Sequence, residues 1–148
     1  MGKGLILTVG NEAMGDDGAG PLLAKLLHQN PLPEWEVLNG GSAPENHLHR
    51  IRELQPPQVV IVDAADMGLL PGEVCPLSED AIANQFIFTT HDMPLSFLIE
   101  ALKEFVPRVH FIGIQPDVVA FAYPMSSHVR QAVETVYEQL QLDGWNSQ

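Results

Sequence analysis

The sequence predicts a three-layer α/β/α sandwich with a mostly parallel central sheet, formed by a single domain that spans residues 1–148. Short apolar runs alternate along the chain with segments in which apolar residues recur at helical spacing. Gly, Pro and Asn residues separate the two kinds of segment, and no internal repeat interrupts them. The first strand-like run is short and largely apolar, as expected of a strand buried on both faces. The alternation of strand and helix patterns indicates a mostly parallel sheet with helices on both faces.

The first three elements predict a strand, a helix and a second strand. An apolar run at residues 5–9 ends at a Gly-Asn turn. The leucine stripe over residues 18–29 then indicates a helix, and residues 36–39 form a second short strand. Because the helix lies between the two strands, we expect a parallel pair joined by a crossover.

The middle of the chain predicts a second helix and the clearest strand. Ser42 and Glu45 form a capping-box pattern, which opens a helix that ends before two consecutive prolines. The strand at residues 59–63 has four β-branched residues followed by an acid. Residues 73–77 favour a short strand, and residues 78–84 a turn of helix.

The last third continues the alternation. Residues 86–90 and 109–114 indicate strands, and residues 94–105 indicate the helix between them. Ser126 or Ser127 caps the final helix. Its predicted inner face consists of Val129, Val133, Val136 and Leu140.

Composition narrows the class of protein. The formal net charge is −12, from 19 acidic residues against 7 Lys and Arg, which argues against nucleic acid or an anionic membrane as a partner. No apolar run approaches the roughly 20 residues that a membrane span needs. The single cysteine excludes an intramolecular disulfide and suits a reducing compartment. We therefore expect a cytoplasmic globular protein.

The glycine-rich stretch after the first strand does not bind phosphate. Gly15, Gly18 and Gly20 are spaced in the reverse order of the dinucleotide fingerprint, and the stretch lacks the Lys-Ser/Thr pair of a Walker A motif. Asp16 and Asp17 would repel phosphate from the helix amides. One of these acids is explained as a helix cap, which leaves the other carboxylate beside the loop.

Polar side chains follow three predicted strands. Asp17 comes after the first strand, Asp63 ends the third, and His91 follows residues 86–90. Ligands of open α/β sheets bind beyond the carboxyl ends of the strands. Two carboxylates and one imidazole suit a divalent transition metal such as nickel, zinc or manganese. Each residue also has a structural explanation: a helix cap for Asp17, a turn residue for Asp63 and a structural histidine for His91.

Other candidate nucleophiles and ligands have weaker patterns. Cys75 has no partner histidine nearby in sequence, and its surroundings predict packing on a strand. His47 and His49 are two residues apart on a predicted helix, so they lie on different faces. Ser42 lacks the G-x-S-x-G pattern of a nucleophile elbow.

Five sequence blocks, in this order, resemble the [NiFe]-hydrogenase maturation endopeptidases. The blocks are GNEAMGDDGAG at residues 10–20, GGSAPEN at 40–46, VDAADMG at 62–68, TTHDMP at 89–94 and GIQPD at 113–117. The resemblance runs from about residue 4 to Tyr137 and is strongest to the branch that acts on hydrogenase 3. It implies an enzyme that removes a C-terminal extension from the large-subunit precursor of the hydrogenase after nickel insertion.

The resemblance also implies residue roles. Asp17, Asp63 and His91 correspond to the family's metal-binding and catalytic residues, and Asp16 is expected to support the loop or to cap the helix. Nickel is expected to be recognised in the precursor, and other divalent metals are able to fill the site. The implied enzyme is an aspartic-type peptidase, active as a monomer, with the precursor as its partner.

Two other functions fit the residues themselves. A metal-dependent hydrolase of small molecules would hold a catalytic metal at the same three side chains. A non-catalytic chaperone for nickel or a hydrogenase subunit would bind the precursor without shortening it. Either the metal or a carboxylate is able to activate the attacking water, and the residues alone do not choose between them.

Overall fold

The computed structural model describes residues 3–78, 82 and 94–142, which form one sheet with helices on both faces. The strands are β1 (Gly4–Thr8), β2 (Trp35–Asn39), β3 (Gln58–Ala64), β4 (Val74–Leu77) and β5 (Arg108–Ile114). The helices are α1 (Ala19–Gln29), α2 (Leu48–Leu54), α3 (Leu95–Lys103) and α4 (Ser127–Gln141). The predicted α/β/α fold class is confirmed. The strand predicted at 86–90 and most of the helical turn predicted at 78–84 lie outside the described residues.

The strand order creates a crevice at the carboxyl ends of β1 and β3. The order across the described sheet is β2-β1-β3-β5-β4. Strand β1 pairs in parallel with β2 and β3, and β3 pairs in parallel with β5, whereas β4 is antiparallel to β5. The chain therefore leaves β1 toward one edge of the sheet and returns on its other side, and this reversal opens a crevice for ligands.

Alternating residues of the strands build two separate cores. One core contacts α1 and α4, and includes Ile6, Val60, Val62 and Ile112. The other contacts α2 and α3, and includes Leu5, Leu7, Val59 and Ile61. Since both faces of β1 and most of β3 are buried, the central positions of these two strands are apolar. The predicted inner face of α4 is confirmed, because all four of its residues are buried in the first core.

The cap predicted for α4 is confirmed, whereas the capping box predicted before α2 is not. Ser126 caps α4, since its Oγ accepts a hydrogen bond from the Val129 amide at 3.4 Å. The capping box predicted at Ser42 is wrong. Ala43 (φ −136°, ψ 67°) is not helical and precedes a 3-10 turn at Pro44–His47 without a side-chain cap. The turn therefore begins one residue too late for the capping-box geometry, and α2 starts only at Leu48.

Within the residues that the structure describes, no helix is both long enough and apolar enough to cross a membrane.

Candidate functional site

The buried polar residues of the described chain lie at one edge of the sheet. These residues are Thr8, Asp16, Asp17, Asp63 and Gln115, each at most 6% exposed. All five lie at the carboxyl ends of β1, β3 and β5 or in the segments that follow directly. Burying charged groups is unfavourable unless other groups compensate for it. The concentration of buried polar groups therefore marks this edge as the candidate site.

The segment that follows β1 is held to β3 on one side and to the segment after β2 on the other. The Val9 amide donates to the Val62 carbonyl at 2.9 Å, and the Gly10 amide donates to the Gly41 carbonyl at 2.8 Å. Asp63 is completely buried in β3, where it pairs in register with Gly113 of β5. The backbone of Asp63 is therefore held within the sheet, and its side chain is buried at this edge.

The glycine loop folds back on itself and fixes the Asp17 carboxylate. Gly10 has a φ of 143°, and a side chain there would collide with the Asp17 carbonyl. The Asn11 amide donates to Asp17 Oδ2 at 2.9 Å, while Asn11 Oδ1 accepts a hydrogen bond from the Ala13 amide at 2.9 Å. Glycine at position 10 is therefore needed for the close approach that orients the carboxylate.

Helix α1 and the turn that carries Asp17 pack against the carboxyl ends of the strands. A side chain at Gly20 would collide with the backbone of Val9, so the first turn of α1 lies directly against the end of β1. Asp17 is 1% exposed in a 3-10 turn, Gly15–Gly18, and this turn contacts β3. Asp17 and Asp63 therefore lie at the ends of neighbouring strands, as the sequence predicts.

Asp16 anchors a loop that is distant in sequence. Its Oδ2 accepts hydrogen bonds from the amides of Asp117 (2.9 Å) and Val118 (3.2 Å). The Ser126 amide donates to Oδ1 at 2.7 Å, and the Ser126 hydroxyl donates to Oδ2 at 3.0 Å. The expected helix cap is wrong, because α1 begins at Ala19 and its N-cap residue, Gly18, provides no side-chain cap. Asp16 does support a loop, but it is the loop between β5 and α4 and not the glycine loop.

Gln115 organises the loop that follows Asp63, a role that sequence reasoning missed. Its Oε1 accepts hydrogen bonds from the amides of Met67 (2.7 Å) and Leu69 (3.2 Å). Its Nε2 donates to Asp66 Oδ1 at 3.2 Å and to the Pro116 carbonyl at 3.3 Å. The sequence feature that could have revealed this role is a polar residue directly after the apolar end of a strand.

The other residues considered as ligands or nucleophiles do not add a described side chain to this site. His91 lies outside the described residues, so its role remains a prediction. Cys75 is half-buried in β4, which agrees with its predicted packing on a strand. His49 is exposed and contacts Glu53 one helical turn later (Nε2 to Oε1, 2.7 Å). Within residues 3–78, 82 and 94–142, no cluster of three or more His, Cys, Asp or Glu side chains could hold a metal ion.

The chain is similar to known proteins in sequence and in fold. The family model HycI, described as hydrogenase maturation protease, matches residues 21–141. The hydrogenase 3 maturation protease of Escherichia coli (strain K12) is 55% identical over 141 residues, which cover 95% of this chain and 89% of that protein. The solution structure of an endopeptidase HycI from Escherichia coli has a TM-score of 0.89 at 53% identity, covering 97% of this chain and 91% of that one.

A more distant structure has the same architecture. The crystal structure of a [NiFe] hydrogenase maturation protease HycI from Thermococcus kodakarensis KOD1 has a TM-score of 0.82 at 28% identity. The match covers 94% of this chain and 90% of the Thermococcus kodakarensis chain. Sequence, fold and the buried acidic edge lead to one assignment. The chain belongs to the hydrogenase maturation protease family and is an endopeptidase of hydrogenase maturation.

Proposed function

We propose that this endopeptidase removes the C-terminal extension from the large-subunit precursor of a [NiFe] hydrogenase of the hydrogenase 3 type, after nickel has entered the precursor. The observation that carries the proposal is the pair of buried carboxylates, Asp17 and Asp63, at the ends of neighbouring strands. The choice of the hydrogenase 3 type rests on the similarity to the Escherichia coli enzyme of that name.

Asp17, Asp63 and His91 are proposed to bind the nickel that arrives with the precursor. Carboxylate oxygens and an imidazole nitrogen form a donor set that suits nickel, and also zinc or manganese. The Asn11 amide fixes one oxygen of Asp17, so this ligand is already oriented before the substrate binds. Nickel is thus treated as part of the substrate, and its presence reports that the precursor is ready for cleavage.

Cleavage adds water across one peptide bond. A new bond forms between the water oxygen and the carbonyl carbon, the C–N bond breaks, and the leaving amine takes up a proton. A bound divalent metal supplies charge stabilisation for the carbonyl or the attacking water. A carboxylate of the Asp17–Asp63 pair is able to accept the water proton as a general base, and this role is the basis for the aspartic-type classification.

The enzyme is further proposed to act as a cytoplasmic monomer, with neither nucleic acid nor a membrane as a partner. The net charge of −12 supports the exclusion of polyanionic partners. A single cysteine among 148 residues fits a reducing compartment. Sedimentation of the purified chain tests the monomeric state directly.

The central experiment measures the mass of the precursor before and after incubation with the enzyme. Nickel-loaded and nickel-free precursor are each incubated with the wild type and with Asp17→Asn, Asp63→Asn and His91→Ala. Asp117→Asn is the matched control, because it makes the same chemical change at an exposed acid near the same edge.

The expected result is shortening of the nickel-loaded precursor alone, by the wild type and the control. Each of the three site variants should cleave at least about 100-fold more slowly, as for the loss of a metal ligand or a general base. Full activity in all three would refute the site assignment. Binding without shortening would indicate a chaperone, and turnover of small esters or amides with a tightly bound metal would indicate a small-molecule hydrolase.

A further inference from the structure

Exposed apolar side chains cluster beside the candidate site. Eight large hydrophobic side chains are exposed among the described residues, and five of them lie on two loops at the carboxyl edge of the sheet. We call these five residues the docking rim: Leu69, Leu70, Val118, Phe121 and Tyr123. Leu70 and Phe121 are each 72% exposed. Clusters of exposed apolar residues are typical of interaction sites.

The first loop of the docking rim is held by the end of β5. Gln115 Oε1 accepts hydrogen bonds from the Met67 and Leu69 amides. The Gly72 amide donates to the Gln115 carbonyl at 2.8 Å, and the Leu70 amide donates to Glu73 Oε2 at 2.8 Å. Leu69 and Leu70 are therefore displayed from a backbone with several fixed points.

The second loop is held by the segment that carries Asp17. Asp16 accepts hydrogen bonds from both ends of this loop, and the Asp16 amide donates to the Val118 carbonyl at 2.9 Å. Ala122 has a φ of 64°, which is unfavourable for a residue with a side chain, and its amide donates to the Ala13 carbonyl at 2.9 Å. The structure thus holds Phe121 and Tyr123 in one defined arrangement despite a local conformational cost.

The two loops approach each other at the start of α4. A side chain at Gly72 would lie 2.8 Å from the His128 carbonyl oxygen and 2.9 Å from its Cβ. The first loop is therefore packed against the start of α4, and α4 begins where the second loop ends at Ser126. Contacts between the loops and the site are also direct, because a side chain at Gly15 would lie 2.7 Å from the Val118 carbonyl oxygen.

We propose that the docking rim is the surface on which the folded hydrogenase precursor binds, with Leu70 and Phe121 as its anchors. This inference rests on the proposed function. The second loop contacts the segment that carries Asp17, and the first loop follows Asp63 in the chain, so a precursor seated on the rim lies beside both acidic residues. A preorganised apolar surface loses little conformational freedom on binding, which favours this role over that of an accidental patch.

The test compares Leu70→Gln and Phe121→Gln with a matched control, Leu142→Gln. Leu142 is 67% exposed just after the end of α4, at the opposite edge of the sheet. Each variant is assayed on the nickel-loaded precursor for kcat and KM, and its melting temperature and sedimentation coefficient are measured. Polar substitution of an anchor should raise KM about tenfold at unchanged kcat and unchanged melting temperature. The control should keep the wild-type KM.

The outcomes separate this inference from the proposed function. If the wild type does not shorten the precursor, the proposed function fails, and the docking inference fails with it. If the wild type cleaves and both rim variants keep the wild-type KM, only the docking inference is overturned. It is also overturned if the rim variants lose a self-association shown by the wild type while KM stays unchanged, because the rim would then bind a second copy of the chain.

Discussion

Replacement of Asp16 by Asn tests whether a buried carboxylate stabilises the loop between β5 and α4. Asparagine has nearly the same shape, but it presents one NH2 group in place of an acceptor oxygen. If the NH2 group replaces Oδ1, the Ser126 amide loses its acceptor; if it replaces Oδ2, the amides of Asp117 and Val118 lose theirs. Either orientation therefore leaves at least one partly buried amide opposite another donor.

The expected loss follows from these bonds. An unsatisfied buried donor costs about 1–3 kcal/mol, and hydrogen bonds to charged groups contribute roughly 1.5–3 kcal/mol each. The hydrogen bonds that remain also lose the assistance of the negative charge. We expect the free energy of unfolding to fall by about 3 kcal/mol, which lowers the melting temperature of a chain of this length by roughly 6–12 °C.

Urea unfolding of Asp16→Asn, Asp117→Asn and Ser126→Ala measures the effect. Asp117→Asn is the control, because its exposed side chain takes no part in this network, and it should change the free energy of unfolding by less than about 0.5 kcal/mol. The loss of unfolding free energy in the double variant, Asp16→Asn with Ser126→Ala, should differ from the sum of the two single losses by about 1 kcal/mol. The reason is that the two side chains contact each other directly. An Asp16→Asn protein as stable as the wild type would refute the reasoning.

Two further predictions concern close packing and pH. Gly20→Ala should lower the free energy of unfolding by about 3 kcal/mol or more, because the new methyl group collides with the Val9 backbone. Gly41→Ala should lower it by only about 1–2 kcal/mol, because Gly41 lies in open space and the only cost is its φ of 61°. Equal losses in urea unfolding would contradict this prediction. Burial, and then the charge of Arg108, lower the pKa of His110 below 6.5. The unfolded chain therefore binds more protons at this residue, so the free energy of unfolding should fall as the pH drops below about 6.5. Urea unfolding at about pH 7.5 and 5.5 should show a smaller fall for His110→Gln than for the wild type. An identical fall would show that His110 is not the source of this pH dependence.

The strands were predictable because each one carries its own signal. The β-branched run at residues 59–63 lies within Gln58–Ala64, and the run at 109–114 lies within Arg108–Ile114. Burial on both faces leaves the buried part of these strands almost entirely apolar, and this property is visible without any knowledge of the partners. The antiparallel direction of β4 has no such local signal, because it depends on how the chain returns to the edge of the sheet.

The polar network was only partly predictable because its partners are distant in sequence. Asp16 contacts residues more than 100 positions away, and Gln115 contacts residues 46 to 49 positions away. Two adjacent acids at the start of a helix look alike in sequence, and local chemistry favours a helix cap for either of them. Only the tertiary arrangement shows that one carboxylate anchors a remote loop while its neighbour lies at the crevice.

The adjacent acids give one short loop a structural role and a proposed chemical role. Successive side chains in the 3-10 turn have different partners: Asp16 binds the loop before α4, while Asp17 accepts a hydrogen bond from the Asn11 amide beside the end of β1. The hydrogen bonds of Asp16 fix the backbone of the turn, and a fixed backbone limits the positions open to the Asp17 carboxylate. A substitution at Asp16 should therefore affect the placement of Asp17 as well as stability. The same bonds place Phe121 relative to the site, so precursor docking and carboxylate placement depend on one buried side chain.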